Sequence, residues 1–103
     1  MTVRERVQAI ADRLRSEYKA ERVILFGSYA RGDAGPDSDV DLFVVARTDE
    51  RFFHRIATVL RTVRDLRKGL PLAPIVLTPD ELTASLSRGN QFVEDLLRTG
   101  VEV

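Results

Sequence analysis

A small mixed β-sheet with helices packed on one face, in the α/β or α+β class, is the architecture this sequence predicts. Three observations lead there. Short apolar runs alternate along the chain with longer stretches of helical periodicity, the apolar runs are too short to be helices, and glycine-, proline- or serine-bearing turns separate them. The 103 residues fit a single domain, residues 1–103. A chain of this size buries only about 60 to 65% of its extended surface.

Val3, Val7, Ile10, Leu14 and Tyr18 recur at helical spacing, with Arg4, Arg6, Asp12, Arg13 and Arg15 elsewhere, so the chain opens on an amphipathic helix. Val23–Phe26 is an apolar run ended by Gly27, which reads as a strand buried on both faces. Ser28 is placed to cap a helical turn that reaches Arg31 and ends at Gly32, and residues 33–38 form a polar loop. Residues 39–46 resume as a strand. Phe52, Ile56, Val59, Val63 and Leu66 mark a long helix over about residues 50–68, closed by Gly69. Ile75–Leu77 forms a third strand. Thr78-Pro79-Asp80-Glu81 combines a capping threonine, proline in the first turn and glutamate three residues on, and opens a helix with Leu82 and Leu86 as its buried positions. A break at Gly89-Asn90 precedes a last helix with Phe92, Val93, Leu96 and Leu97 on its apolar side. Gly100 ends it, and Val101–Val103 forms an edge strand.

Sixteen basic and sixteen acidic residues balance, which argues against a protein that grips nucleic acid through a uniformly positive field. Fourteen of the basic residues are arginine, as a GC-rich genome, heat adaptation or phosphate pairing would each produce. The absence of cysteine excludes disulfides, thiolate metal sites and cysteine nucleophiles and fits a cytoplasmic setting. The first twenty residues are charged throughout and lack the apolar segment of a secretory signal. No apolar window approaches the roughly 18 residues that span a bilayer, so no membrane association is expected.

The chemistry concentrates between Gly27 and Asp41. Side chains two apart on a strand share a face, about 6.6 Å apart along it, so Asp39 and Asp41 present a carboxylate pair while Val40 points into the core. Such a pair repels unless a cation sits between, and hard oxygen ligands suit Mg²⁺ or Mn²⁺ with triphosphate oxygens completing the shell. Gly27 lets a phosphate chain approach the backbone, and Ser28 offers a hydroxyl and amides at the start of a turn. Arg31, one turn on, can add a planar fork of donors to the same phosphates. A Gly-Ser turn or an Asp-x-Asp alone is ordinary; in this order and spacing they predict a site for a metal-chelated nucleoside triphosphate. Tyr29 and His54 are given no catalytic role, Tyr29 packing beside the turn and His54 lying off the apolar stripe of its helix.

Gly27-Ser28, ten residues and Asp39-Val40-Asp41 resemble the minimal nucleotidyltransferases of the polymerase-beta-like superfamily, the group found beside HEPN-domain partners. The likeness extends from the opening helix through the helix start at residues 77–82. It implies that fold, and transfer of a nucleoside monophosphate from a Mg²⁺-bound triphosphate, with ATP as the expected donor, to an acceptor hydroxyl, releasing pyrophosphate. It also implies a helical HEPN-type partner in a toxin-antitoxin-like pair, whose tyrosine is the acceptor, and a homo- or hetero-oligomer. Carried over by position, Gly27 and Ser28 match the triphosphate-binding turn, and Asp39 and Asp41 the first two metal ligands. The third acid of transferring members falls at Ala73 or Pro74, and neither can act as base or ligand. A working transferase whose acceptor is activated by the metal or a partner, and a metal- and nucleotide-binding subunit that regulates a helical partner, are the two readings of that departure.

Overall fold

Val40–Val45 is almost wholly apolar because it becomes the inner strand of a sheet covered on both faces. In the computed structural model, which describes all 103 residues, the order is α1 (Val3–Glu17), β1 (Arg22–Phe26), α2 (Ser28–Arg31), β2 (Val40–Val45), α3 (Phe52–Thr62), α4 (Arg64–Arg67), β3 (Leu72–Leu77), α5 (Pro79–Ser87), α6 (Gln91–Thr99) and β4 (Val101–Glu102). The sheet order is β3-β2-β1-β4. β1 is antiparallel to both β2 and β4, and β2 is parallel to β3, so the mixed sheet and the α+β class are those the sequence predicts. No helix is long and apolar enough to cross a membrane.

Alternation along the strands sorts the core into two layers. Val23, Leu25, Val40, Leu42, Val44 and Val76 face α1 and α3, meeting Val7, Ile10, Leu14, Val59 and Val63. Ile24, Phe43 and Val45 face the other way and pack on Leu96 of α6, with Leu82 of α5 at the margin. Helices therefore cover both faces, where helices on one face were expected. The apolar side of α6 explains the difference, since Val93 and Leu96 are nearly fully buried and need the second face to bury against. Each such side chain contributes about 1.5–3 kcal/mol by leaving water.

Two elements depart from the periodicity in their bounds, and a third departs in its buried side. The long helix expected over residues 50–68 starts at Phe52 and breaks at Val63, whose φ of −113° and ψ of 15° leave the helical region. The cause is a diverted acceptor: the Thr62 carbonyl takes a hydrogen bond from Arg13 Nη1 (3.0 Å), and the Leu66 amide turns to the Val63 carbonyl instead (2.9 Å). The third strand begins earlier than expected, at Leu72. Pro74 is tolerated inside it because β3 is an edge strand, so the missing N–H lies on the unpaired side. In α5, Leu86 is exposed and Ser85 is buried, where Leu82 and Leu86 were the expected buried positions; α6 packs against α5.

The end of the sheet opposite Gly27 is tied by Arg55, whose side chain is only 6% exposed. Its guanidinium donates to both carboxylate oxygens of Glu81 (2.6 and 3.1 Å) and to the carbonyls of Val76 and Glu50. Glu81 also closes the capping box expected at Thr78, accepting from the Thr78 amide at 2.9 Å. The Arg55–Glu81 pair thus joins α3, β3 and α5.

Hydrogen bonds from Arg55 hold the Glu81 carboxyl below its ordinary 4.5, against an opposing effect of burial. A depressed folded value means that this stability is fully present above about pH 4.5 and is lost as pH falls through the lower value. We expect Glu81→Ala to cost about 2 kcal/mol at pH 7, less than the roughly 3–5 kcal/mol of breaking a fully buried pair because water reaches Glu81. Chemical denaturation at falling pH should bring wild type and variant together in acid; a gap independent of pH would show that the carboxylate charge is not what stabilises the junction.

Candidate active site

The register of two strand pairs assembles the site. Phe26, the last residue of β1, pairs with Asp41 of β2, so the turn at Gly27 passes beside the Asp41 side chain. Gly27 has φ of +73° and ψ of −153°, a conformation that only glycine adopts without strain. A Cβ built there would lie 2.2 Å from Asp41 Oδ2. The turn and the carboxylate are in contact because residue 27 has no side chain.

Ser28 opens α2 as its first helical residue, whereas the sequence placed it as the cap. Gly27 occupies the cap position and supplies no side-chain hydrogen bond. The Gly27 carbonyl accepts from the Ala30 and Arg31 amides (3.1 Å each) and the Ser28 carbonyl from the Gly32 and Asp33 amides (3.0 and 3.1 Å), which closes the turn tightly. Gly32 then ends it in the left-handed region, with φ of +83°. Arg31 stands one turn above Ser28 with its Nε 3.3 Å from Asp33 Oδ2; both side chains are more than 60% exposed, so the pair is weak and Arg31 is free to swing.

Asp39 immediately precedes β2 and is exposed, while Asp41 is half-buried. Burial pushes the Asp41 carboxyl above its ordinary 3.8, the negative charge of Asp39 adds to that, and Arg31 opposes both. The three charges therefore sense one another. The donor set fits a hard divalent cation: two neighbouring carboxylates, one raised by burial and by the other's charge, a repulsion that a cation between them would relieve.

On the far side of Asp41 the parallel register sets Ala73 directly alongside it. Strand alternation puts Ala73 on the same face, with Leu72 and Pro74 buried toward the opposite layer. The two positions at which the sequence placed the third acid resolve to Ala73. No His, Cys, Asp or Glu joins Asp39 and Asp41 to make a group of three. Tyr29 packs against the core and His54 is exposed. A groove of about 260 Å³ that shares Gly27 and Arg31 with the turn was not anticipated. Phe92, read from the sequence as an apolar helix position, is 53% exposed on its wall; its place before the buried Val93, at the start of the helix, is the only sequence signal of that role.

Residues 7–97 match the family model described as a nucleotidyltransferase domain. Two proteins of Methanocaldococcus jannaschii, each named a "putative protein adenylyltransferase", are similar over most of this chain. One is 31% identical over 82% of this chain and 80% of its own length. The other is 41% identical over 79% of this chain but only 55% of its own length. The crystal structure of "a putative nucleotidyltransferase" from Sulfolobus solfataricus superposes with a TM-score of 0.58 at 24% identity, covering 95% of this chain and 76% of that one, a likeness of fold.

Gly27→Ala should destabilise the chain by at least about 2 kcal/mol in chemical denaturation, from the backbone strain and the clash with Asp41 together. The two changes should couple: in an Asp41→Ala background the clash is gone, and we expect Gly27→Ala to cost about 1 kcal/mol less there. Strict additivity would show that the close approach is not what requires glycine.

Proposed function

Because the chain belongs to the nucleotidyltransferase domain family, we propose that it transfers the adenylyl group of Mg²⁺-bound ATP to a hydroxyl of a protein acceptor. The choice of ATP and of a protein acceptor follows the names of the M. jannaschii relatives. The observation that carries the reading is the contact of the Gly27 turn with Asp41, which sets the backbone of that turn directly beside an acidic side chain. In the reaction the acceptor oxygen attacks the α-phosphorus. The bond from that phosphorus to the oxygen bridging toward the β-phosphorus breaks, and pyrophosphate leaves with that electron pair.

The chain's residues divide this work by position. Asp39 and Asp41 would hold the divalent cation, which when bound neutralises the developing charge and lowers the pKa of the acceptor hydroxyl. Gly27 and Ser28 would receive the β- and γ-phosphates on the turn. Arg31, weakly paired to Asp33, would leave that partner to bind the same oxygens. Beside Asp41, Ala73 has no group to take the acceptor proton. That proton therefore goes to a group brought by the acceptor or its protein, and the exposed site leaves room for a partner surface to supply it. A HEPN-type helical protein in a toxin-antitoxin-like pair is the partner implied by the sequence resemblance. The same alanine supports a second reading, in which the chain chiefly holds the nucleotide and regulates that partner.

Incubation with ATP labelled at the α-phosphorus, Mg²⁺ and a HEPN-type helical protein as acceptor should move label onto that protein, and Asp39→Asn or Asp41→Asn should lower the rate by about a hundredfold or more. Ala73→Asp, which returns a carboxylate beside Asp41, should raise it at least about tenfold. Tight nucleotide binding with no transfer in either form would favour the regulatory reading over the enzymatic one.

A further inference from the structure

The groove that shares Gly27 and Arg31 with the phosphate turn has a lining suited to a different part of the same ligand. Its volume of about 260 Å³ lies just below the roughly 300–1,000 Å³ of pockets that take whole small molecules. Phe26 and Leu96 line its apolar side. Phe92, at the start of α6, is packed edge-to-face on Phe26 with ring centroids 5.8 Å apart and planes at 83°. It is 53% exposed, so half of a large ring faces the groove and solvent with no protein partner. A flat aromatic ligand would complete the packing that this pair begins.

Asp95 gives the groove one polar handle with a defined free atom. Gln91 Nε2 and Arg98 Nη2 both donate to Asp95 Oδ1, at 2.9 Å each, and no protein group donates to Oδ2. A single carboxylate oxygen beside an apolar slot accepts one exocyclic amine. Adenine and cytosine each offer that amine on an edge, and the bicyclic adenine covers more of the exposed Phe92 ring. Guanine's adjacent N–H donors call for both oxygens of a carboxylate, and one of these is already engaged. Uracil and thymine would turn a carbonyl oxygen toward the charge.

We propose that this groove is the nucleobase subsite, with Phe26 and Phe92 packing the adenine ring and Asp95 selecting it through the exocyclic amine. The assignment rests on the nucleotidyl-transfer reading above, and its continuity with that site comes from Gly27 and Arg31, which line both.

Calorimetric titration of the whole chain with Mg²⁺ complexes of ATP, GTP and tripolyphosphate separates the two. Tripolyphosphate has the phosphates without the base. We expect wild type to bind ATP more tightly than tripolyphosphate, and Phe92→Ala to weaken ATP about tenfold while leaving tripolyphosphate unchanged. The unchanged tripolyphosphate affinity also shows that the variant is folded. Asp95→Asn should narrow the preference for ATP over GTP several-fold. If wild type bound ATP and tripolyphosphate equally, the phosphate site would stand and the base subsite would be overturned, as it would if Phe92→Ala left ATP binding unchanged. If wild type bound neither, both readings would fall.

Discussion

β2 is hydrogen-bonded along both edges, antiparallel to β1 and parallel to β3, and that double pairing decides where every candidate residue stands. Its alternation sends Val40, Leu42 and Val44 into one core layer and Phe43 and Val45 into the other, so a slip of one residue would exchange both faces at once. With the register pinned by burial, Asp41 has no freedom to choose its neighbours. It lies beside the turn at Gly27 on one side and beside Ala73 on the other. The site is a consequence of strand pairing before it is a consequence of side-chain chemistry.

The two ends of the sheet are built differently. At the far end Arg55 is enclosed and its donors are taken up by Glu81 and two carbonyls, which joins α3, β3 and α5 rigidly. At the near end the charged groups are exposed or half-buried, Arg31 is held only by an exposed aspartate, and the Asp41 carboxyl is raised by burial and by Asp39. Unrelieved repulsion between two carboxylates is a local cost to the free chain. On the proposed reading a divalent cation carrying a triphosphate would relieve it, and the ligand would be bound partly by removing a strain that the fold imposes.

Much of this was legible in the sequence because the relevant signals are local. Gly27, Gly32 and the Thr78 capping box announce backbone events at single positions, and the spacing of Asp39 and Asp41 states which face they share. The parts that were not legible depend on tertiary partners. The break at Val63 comes from Arg13, far away in sequence, taking the Thr62 carbonyl. The cover on the second face, the burial of Ser85 and the exposure of Phe92 follow from where α6 docks, which helical periodicity alone does not fix. The two candidate positions for a third acid became one, Ala73, only when the parallel pairing of β2 with β3 gave the register.

On the proposed reading, strand register places Asp39 and Asp41 to hold a divalent cation against a triphosphate seated on the Gly27 turn. The most direct measurement is the affinity for ATP with Mg²⁺ and with a chelator, in wild type and in the chain carrying Asp39→Asn and Asp41→Asn. The account predicts that Mg²⁺ strengthens ATP binding in wild type and that the double substitution abolishes this dependence while the chain stays folded. Equal affinity with and without Mg²⁺ in wild type, or a Mg²⁺ dependence that survives the double substitution, would contradict it.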